Sequence, residues 1–149
     1  MRLMGLDIGD RTIGVAVSDE LGLGAHPVTV LKRTDSVRKD IGRLRELAEQ
    51  HEVERIVVGV PIMLSGETGV QAEKVLAFVD ELRRRMRVPI ETWDERLTTA
   101  EAERMLIETG HRREKRREII DMHAAAVILQ TYMDSRKSSA PRERADDEE

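Results

Sequence analysis

Several acidic side chains lie within or next to apolar segments that would otherwise be expected to form a buried core. Four acids lie within or directly after apolar segments: Asp7, Asp94, Glu95 and Asp121. An ionised carboxylate that leaves water costs free energy unless a metal ion, a cationic partner or a raised pKa compensates. These four acids are therefore the first candidates for chemistry.

If the segments that carry these acids meet in the fold, the acids form a cluster. Clustered carboxylates repel one another, so such a site needs cations, and oxygen ligands favour Mg²⁺ or Mn²⁺. Two such ions about 3.5–4 Å apart form a known arrangement for in-line cleavage of a phosphodiester. Three structural alternatives remain open: Asp94 as a turn residue, Asp121 as a paired structural acid, and Asp7 as a ligand of nucleotide-bound magnesium.

The pattern of apolar residues predicts strands and helices that would position these acids. Alternation and apolar runs predict strands, whereas apolar residues at helical spacing after a capping residue predict helices. The predicted strands cover 2–9, 12–18, 26–31, 54–60 and 88–93, and the predicted helices run from about 37 to 51, 72 to 86, 98 to 110 and 119 to 133. Short connections make the first three strands an antiparallel meander, so we predict an α/β fold with a mixed five-stranded sheet flanked by helices.

One face of the second predicted strand carries only small side chains. Thr12, Gly14, Ala16 and Ser18 alternate with larger apolar residues, and Gly5 extends the small surface into the first strand. We expect this surface to let a helix or a substrate backbone approach the sheet closely.

Composition narrows the class of protein. The chain has 149 residues, 36% of them charged, and no cysteine, which excludes disulfides and thiolate metal sites. Aromatic residues are only 2%, so stacking platforms for single-stranded nucleic acid are largely excluded. The net charge of −4 comes entirely from the last four residues, so global charge argues neither for nor against nucleic acid.

The chain is predicted to form one domain with a polar tail. Residues 1–134 contain the periodic segments, whereas 135–149 have almost no apolar content and are predicted to be disordered. No apolar run reaches the roughly 18–20 residues of a membrane span, and no secretory leader is visible. We therefore expect a cytoplasmic protein that does not enter membranes.

Five segments carry a resemblance to a known family. They are 6–9, 14–19, 59–61, the run Asp94-Glu95-Arg96-Leu97-Thr98-Thr99, and Ile120-Asp121 with Ala124-Ala125. In this order they resemble the YqgF family of RuvC-like Holliday junction resolvases, also described as pre-16S ribosomal RNA nucleases. The resemblance implies a ribonuclease H-like fold, a magnesium-dependent nuclease and a role in maturing the 5′ end of ribosomal RNA.

The resemblance also implies roles for individual residues. Asp7, Glu95 and Asp121 would be the catalytic acids and metal ligands, and Asp94 is a further neighbour whose role stays open. Arg96 would contact a phosphate, although a surface ion pair explains it equally well. The chain departs from the family at Met63, where many relatives carry Asn, which weakens a polar substrate contact there.

A basic segment directly precedes Asp121. It contains Arg112, Arg113, Lys115, Arg116 and Arg117. Because cations are unfavourable at a helix N-terminus, the placement favours contacts with a nucleic-acid backbone over a solvated helix start. The arginines at 83–87 have a simpler explanation, since cations stabilise a helix C-terminus.

Three functions are consistent with these features. The first is a metal-dependent nuclease acting on structured RNA or branched DNA, as a monomer or a homodimer. The second is a fragment of an actin-like sugar kinase or ATPase, which the short chain and the absence of a second Asp-x-Gly hairpin disfavour. The third is a nucleic-acid-binding module that has kept the fold without turnover.

Overall fold

The computed structural model describes residues 1–63, 65–95 and 123–136, which form one sheet with helices on both faces. The strands are β1 (Leu3–Ile8), β2 (Thr12–Ser18), β3 (Ala25–Lys32), β4 (Arg55–Val60) and β5 (Ile90–Asp94). The helices are α1 (Val37–Gln50), α2 (Val70–Arg85) and the described helical stretch 123–136, called α3 below.

The five strands form a single mixed sheet in the order β3-β2-β1-β4-β5. β2 is antiparallel to both β1 and β3, whereas β4 is parallel to both β1 and β5. The predicted meander and mixed sheet are confirmed. The parallel strands bring the carboxyl ends of β1, β4 and β5 to one edge of the sheet, which we call the carboxyl edge.

Alternation along the strands divides the core between the two faces of the sheet. Met4, Leu6 and Ile8 of β1 are buried with residues of α1 and α2 on one face. Leu3 and Val57 are buried with α3 on the other face. Because successive side chains of a strand point to opposite faces, this division follows from the period of two in the sequence.

The start of α1 is fixed by a cap and by a buried acid. The Lys39 N–H donates to the Ser36 hydroxyl oxygen over 3.2 Å, as the capping prediction requires. The carboxylate of Asp40 accepts bonds from the Thr34 N–H and hydroxyl, both over 2.9 Å, and lies 3.7 Å from the Arg33 guanidinium. Arg33 also donates to the Gly9 carbonyl over 2.8 Å, so it joins α1 to the β1–β2 turn.

The small surface of β1 and β2 receives α3. A Cβ at Gly5 would lie 2.7 Å from the Ala125 carbonyl oxygen and 2.8 Å from the Leu129 Cβ, closer than side chains approach. Ala16, which pairs with Gly5, is buried against Ala125 and Ala126. The expected close approach of a helix is confirmed.

Polar contacts hold the far end of α3 on the amino ends of β4 and β5. The Tyr132 hydroxyl donates to Glu91, and Arg55 donates to the other oxygen of Glu91 over 3.1 Å. The hydrogen bond to Tyr132 and the charge of Glu91 raise the pKa of Arg55. Arg136 donates to the Tyr132 hydroxyl over 2.7 Å. The helix therefore includes residues 135 and 136, which the sequence assigned to the tail.

Several predictions concern residues outside the described ranges. They include the helix at 98–110, the tail from 137 onward, Asp121, Arg96 and the basic residues Arg112, Arg113, Lys115, Arg116 and Arg117. The domain boundary at 134 stays a prediction. Among the described residues, no helix is long and apolar enough to cross a membrane.

Candidate active site

Asp7 is the next-to-last residue of β1 and lies at the carboxyl edge. Its strand neighbours are Gly14 on β2 and, by continuation of the register from Leu6 and Val58, the region of Gly59 on β4. Its side chain shares the α3 face with Leu3 and Gly5, and Asp7 is half-buried there. The carboxylate that the sequence placed in an apolar strand thus stands at the end of that strand.

Asp94 and Glu95 reach the same edge from β5. Asp94 is the last residue of β5 and pairs with Val60 of β4. The Glu95 N–H donates to the Val60 carbonyl over 3.2 Å, which fixes the backbone just after the strand. β4 is therefore the single strand that lies between the acid-bearing strands β1 and β5.

Gly59 on β4 provides the space in which the Glu95 carboxylate lies. A Cβ at Gly59 would be 2.5 Å from Glu95 Oε2 and 2.5 Å from Ile128 Cδ1. The Glu95 side chain thus folds back over β4, towards β1 and under the first turns of α3. Because Gly59 has no side chain, the Glu95 carboxylate and Ile128 of α3 can both pack against the sheet at this position.

The electrostatics of the edge confirm that the acids are near one another. Burial, followed by the charges of Asp7 and Asp94, raises the pKa of Glu95 to about 7. Burial both disfavours the charged form of Glu95 and reduces the screening of the neighbouring charges by water. At neutral pH this site therefore carries a carboxyl group poised between its charged and neutral forms.

The structure places Asp7 and Glu95 close enough for their charges to interact, with Asp94 next to Glu95 in the chain, while Asp121 lies outside the described residues. Within 1–63, 65–95 and 123–136, no three His, Cys, Asp or Glu side chains are placed to hold a metal ion. The donors that are present are carboxylate oxygens, which fit Mg²⁺ and Mn²⁺ rather than softer metals.

Gly59 is a site residue to which sequence reasoning gave no role. Its signal was a glycine inside the continuous apolar run 55–60, a position that often marks the close approach of another group. The sequence could not show which groups approach Gly59, because Glu95 and Ile128 are distant from it in the chain.

These features define the class of the protein. A mixed sheet in the order β3-β2-β1-β4-β5, with an acid in the first strand and two more at the end of the fifth, is a ribonuclease H-like arrangement. The fold is similar to that of Thermus thermophilus RuvC in complex with a Holliday junction substrate, with a TM-score of 0.61, 18% identity, and coverage of 94% of this chain and 98% of that one.

The chain belongs to the RuvX family, whose model is described as Holliday junction resolvase and matches residues 1–135. A protein of Desulforudis audaxviator named "Putative pre-16S rRNA nuclease" is 55% identical over 93% of this chain and 97% of its own length. A protein of Desulforamulus reducens with the same name is 52% identical over 91% of this chain and 98% of its own length. The resemblance noted in the sequence is confirmed.

Proposed function

We propose that this protein is a metal-dependent nuclease that hydrolyses phosphodiester bonds while processing the 5′ end of the 16S ribosomal RNA precursor. The observation that carries the proposal is that the Glu95 carboxylate is partly buried at the carboxyl edge within reach of the charge of Asp7, and that burial and the charges of Asp7 and Asp94 raise its pKa to about 7. The names of relatives that are 55% and 52% identical support the choice of substrate. Such a substrate implies action in the cytoplasm.

Asp7, Glu95 and Asp121 are proposed as the ligands of Mg²⁺ or Mn²⁺. The raised pKa of Glu95 supports this set, because burial and the charges of Asp7 and Asp94 disfavour an ionised carboxylate that a divalent cation would stabilise. When bound, such a cation would activate water and stabilise the leaving oxygen of the phosphodiester. The protein's own contribution is to fix the carboxylates on strand ends and to bury part of Glu95 beneath α3.

The direction of α3 supports the inclusion of Asp121. Ile128 contacts the space at Gly59, near the carboxyl end of β4, whereas Tyr132 contacts Arg55 at its amino end. The helix therefore runs away from the acids as the chain proceeds, and its beginning faces them. In the helix that the sequence predicts over 119–133, Asp121 would share a face with Ile128, because seven positions repeat one helix face after two turns.

Arg96 and the basic residues Arg112, Arg113, Lys115, Arg116 and Arg117 are proposed as phosphate contacts. Their support is their place in the sequence, since Arg96 follows Glu95 directly and the basic run directly precedes Asp121. Contacts of this kind bind the backbone without reading base sequence and weaken as salt rises.

Resolution of branched DNA is the second candidate function. The description of the family model and the fold shared with RuvC favour it. Cutting a symmetric junction on two strands requires two active sites, so this function calls for a homodimer, whereas cutting a ribosomal RNA precursor is compatible with a monomer.

The decisive experiment compares two labelled substrates with the wild type and two variants. A precursor ribosomal RNA leader and a four-way DNA junction are incubated with Mg²⁺ or Mn²⁺. We expect faster cleavage of the RNA, and a loss of at least about 100-fold for Asp7→Asn, because a ligand of the cation is removed. Asp10→Asn is the matched control, since Asp10 is exposed in the next turn and, among the described residues, forms a surface pair with Lys74.

The outcomes separate the candidates. Preferred cleavage of the junction would favour the resolvase. If both substrates bind but neither is cut with any divalent metal, the non-catalytic binding module is correct. Equal losses for Asp7→Asn and Asp10→Asn would contradict the assignment of the acid site, provided that circular dichroism shows both variants folded.

A further inference from the structure

A basic groove runs along the outer surface of α1, on the face of the sheet opposite the acids. It encloses about 560 Å³ and is lined by Ser36, Arg38, Lys39, Gly42, Arg45 and Arg85. Four of these six residues are cationic and none is acidic. Arg38, Lys39, Arg45 and Arg85 are all exposed, so their charges face solvent.

Contacts within the groove leave most of this positive charge available. Arg45 donates to the Arg85 carbonyl over 2.7 Å, which holds its guanidinium across the gap between α1 and α2. Arg85 shares the carboxylate of Glu81 with Arg84, so one acid serves two guanidinium groups. Within the part of the chain that the structure describes, Arg38 and Lys39 form no ion pair.

The placement of Arg38 and Lys39 is not explained by the stability of α1. Both lie in its first turn, where the positive end of the helix dipole disfavours cations. Arg85, at the end of α2, is favourable by the same rule, so only part of the groove follows from helix electrostatics. A negatively charged binding partner would explain the unfavourable positions of Arg38 and Lys39.

Gly42 makes the lining concave. It lies inside α1 between Arg38 and Arg45, and a Cβ at this position would meet no atom within 4 Å. Glycine is a weak helix former, so a residue with a side chain at this open position would stabilise α1.

We propose that this groove binds the phosphate backbone of a nucleic-acid arm other than the one held at the acids. Its cationic stretch from Arg38 to Arg45 spans about 10 Å along the helix, or about three nucleotide steps of one duplex strand. The inference rests on the proposed nuclease function and specifies its substrate as a structured, multi-armed nucleic acid. An arm on the opposite face of the sheet cannot be the segment being cut.

The adjoining cavity limits the extent of this contact. Beyond Arg45 the surface continues past Glu49 and Glu52 as well as Arg87. Acids there would repel a backbone, so the contact ends near Arg45. This boundary supplies a control, because Arg84 and Arg87 carry equal charge on the same side of the molecule but lie outside the groove.

The proposal can be tested without cleavage by measuring the binding of a labelled four-way junction in EDTA. Fluorescence anisotropy gives the affinity at several KCl concentrations. We expect the double variant Arg38→Gln, Lys39→Gln to weaken binding roughly tenfold and to reduce the slope of log K against log salt by about 1.4–1.8. The double variant Arg84→Gln, Arg87→Gln should leave the slope within experimental error of the wild type.

A second pair of variants separates charge from folding. Gly42→Glu places a carboxylate on the groove floor in open space and should raise the Tm, because Glu favours a helix more than Gly. It should nevertheless weaken junction binding about tenfold or more, whereas the neutral Gly42→Gln should bind within about twofold of the wild type. In cleavage assays Gly42→Glu should raise KM and leave kcat unchanged, because the groove lies away from the acids.

Wild-type affinity for Gly42→Glu, or equal slopes for the two double variants, would overturn the groove as a binding site. If the junction and the precursor RNA both bind with groove-dependent affinity but neither is cut, the proposed nuclease function is refuted and the groove stands. A wild-type protein that binds no junction and no structured RNA would refute both.

Discussion

At the scale of single residues, Glu95 links the buried interior to the chemistry of the carboxyl edge. Its backbone is fixed by Val60, its side chain occupies the space above Gly59, and its pKa is raised to about 7. Burial is the larger cause and the charges of Asp7 and Asp94 follow. The carboxylate is therefore held at an energetic cost that a bound cation would relieve.

This cost predicts a pH dependence of stability. In the folded protein Glu95 keeps its proton up to about pH 7, whereas its ordinary pKa is 4.5. The folded state thus binds more protons between these values, and the free energy of unfolding falls as pH rises through this window. Because the carboxylate is partly exposed, solvent screening limits the change to about 1–2 kcal/mol.

Urea denaturation in EDTA at several pH values between 4.5 and 8 measures this effect. Glu95→Gln should flatten the profile and be more stable than the wild type at pH 8. Glu46→Gln, which changes an exposed acid on α1, should retain the wild-type slope. A Glu95→Gln profile as steep as that of the wild type would show that another group is responsible.

Asp40 shows how one buried acid secures a whole element. It is only 1% exposed and holds the start of α1 through Thr34 and Arg33. We expect Asp40→Ala to lower the free energy of unfolding by about 3 kcal/mol, because the variant leaves the Thr34 N–H without its acceptor and removes the ion-pair partner of Arg33. Chemical denaturation measures the change, and Asp35→Ala at an exposed position should stay within about 0.5 kcal/mol of the wild type.

At the scale of elements, the contact of α3 with the sheet depends on two glycines with different neighbours. Gly5 faces the backbone carbonyl of Ala125 and the Cβ of Leu129, which cannot move without moving the helix. Gly59 faces the ends of the Glu95 and Ile128 side chains, which can rotate. A methyl group at the two positions should therefore have different consequences.

We expect Gly5→Ala mainly to reduce stability, by about 2–3 kcal/mol, because α3 must shift. Gly59→Ala should cost less stability but reduce cleavage more than about tenfold, because the Glu95 carboxylate is displaced. Thermal unfolding and cleavage rates measured on both variants test this ranking. Gly42→Ala, which meets no atom within 4 Å, should raise stability by about 0.5–1 kcal/mol. A reversed ranking would contradict the assigned contacts.

At the scale of the whole molecule, the sheet separates the acids of the carboxyl edge from the basic groove. One face carries the acids and α3, and the other carries α1, α2 and the basic groove. Attraction of phosphates to the basic groove does not compete with binding of cations at the acids. A structured substrate can therefore contact both faces at once.

Metal binding should stabilise the whole fold. A cation that binds only the folded protein adds roughly 2.7 kcal/mol at 100 times its Kd, which corresponds to a rise in Tm of about 5–10 °C for a chain of this size. We expect this rise with Mg²⁺ or Mn²⁺ in thermal unfolding of the wild type and little or none for Asp7→Asn. An equal rise in both proteins would place the cation elsewhere.

The sequence by itself determined most of the local structure. The alternation in 12–18, the Ser36 cap and the apolar run ending at Val60 specify elements that depend on near neighbours, and the structure confirms them. The antiparallel meander also followed, because short connections leave few other ways to pair three strands. The family motif identified Asp7 and Glu95 as site candidates before their positions were known.

Only the tertiary structure decided how these residues meet. The order β3-β2-β1-β4-β5 places β4 between the acid-bearing strands, and Gly59 then determines where the Glu95 carboxylate lies. The raised pKa of Glu95 and the basic groove both depend on residues that are far apart in the sequence. Burial and charge interactions act through space, and periodicity along the chain carries no information about these distances.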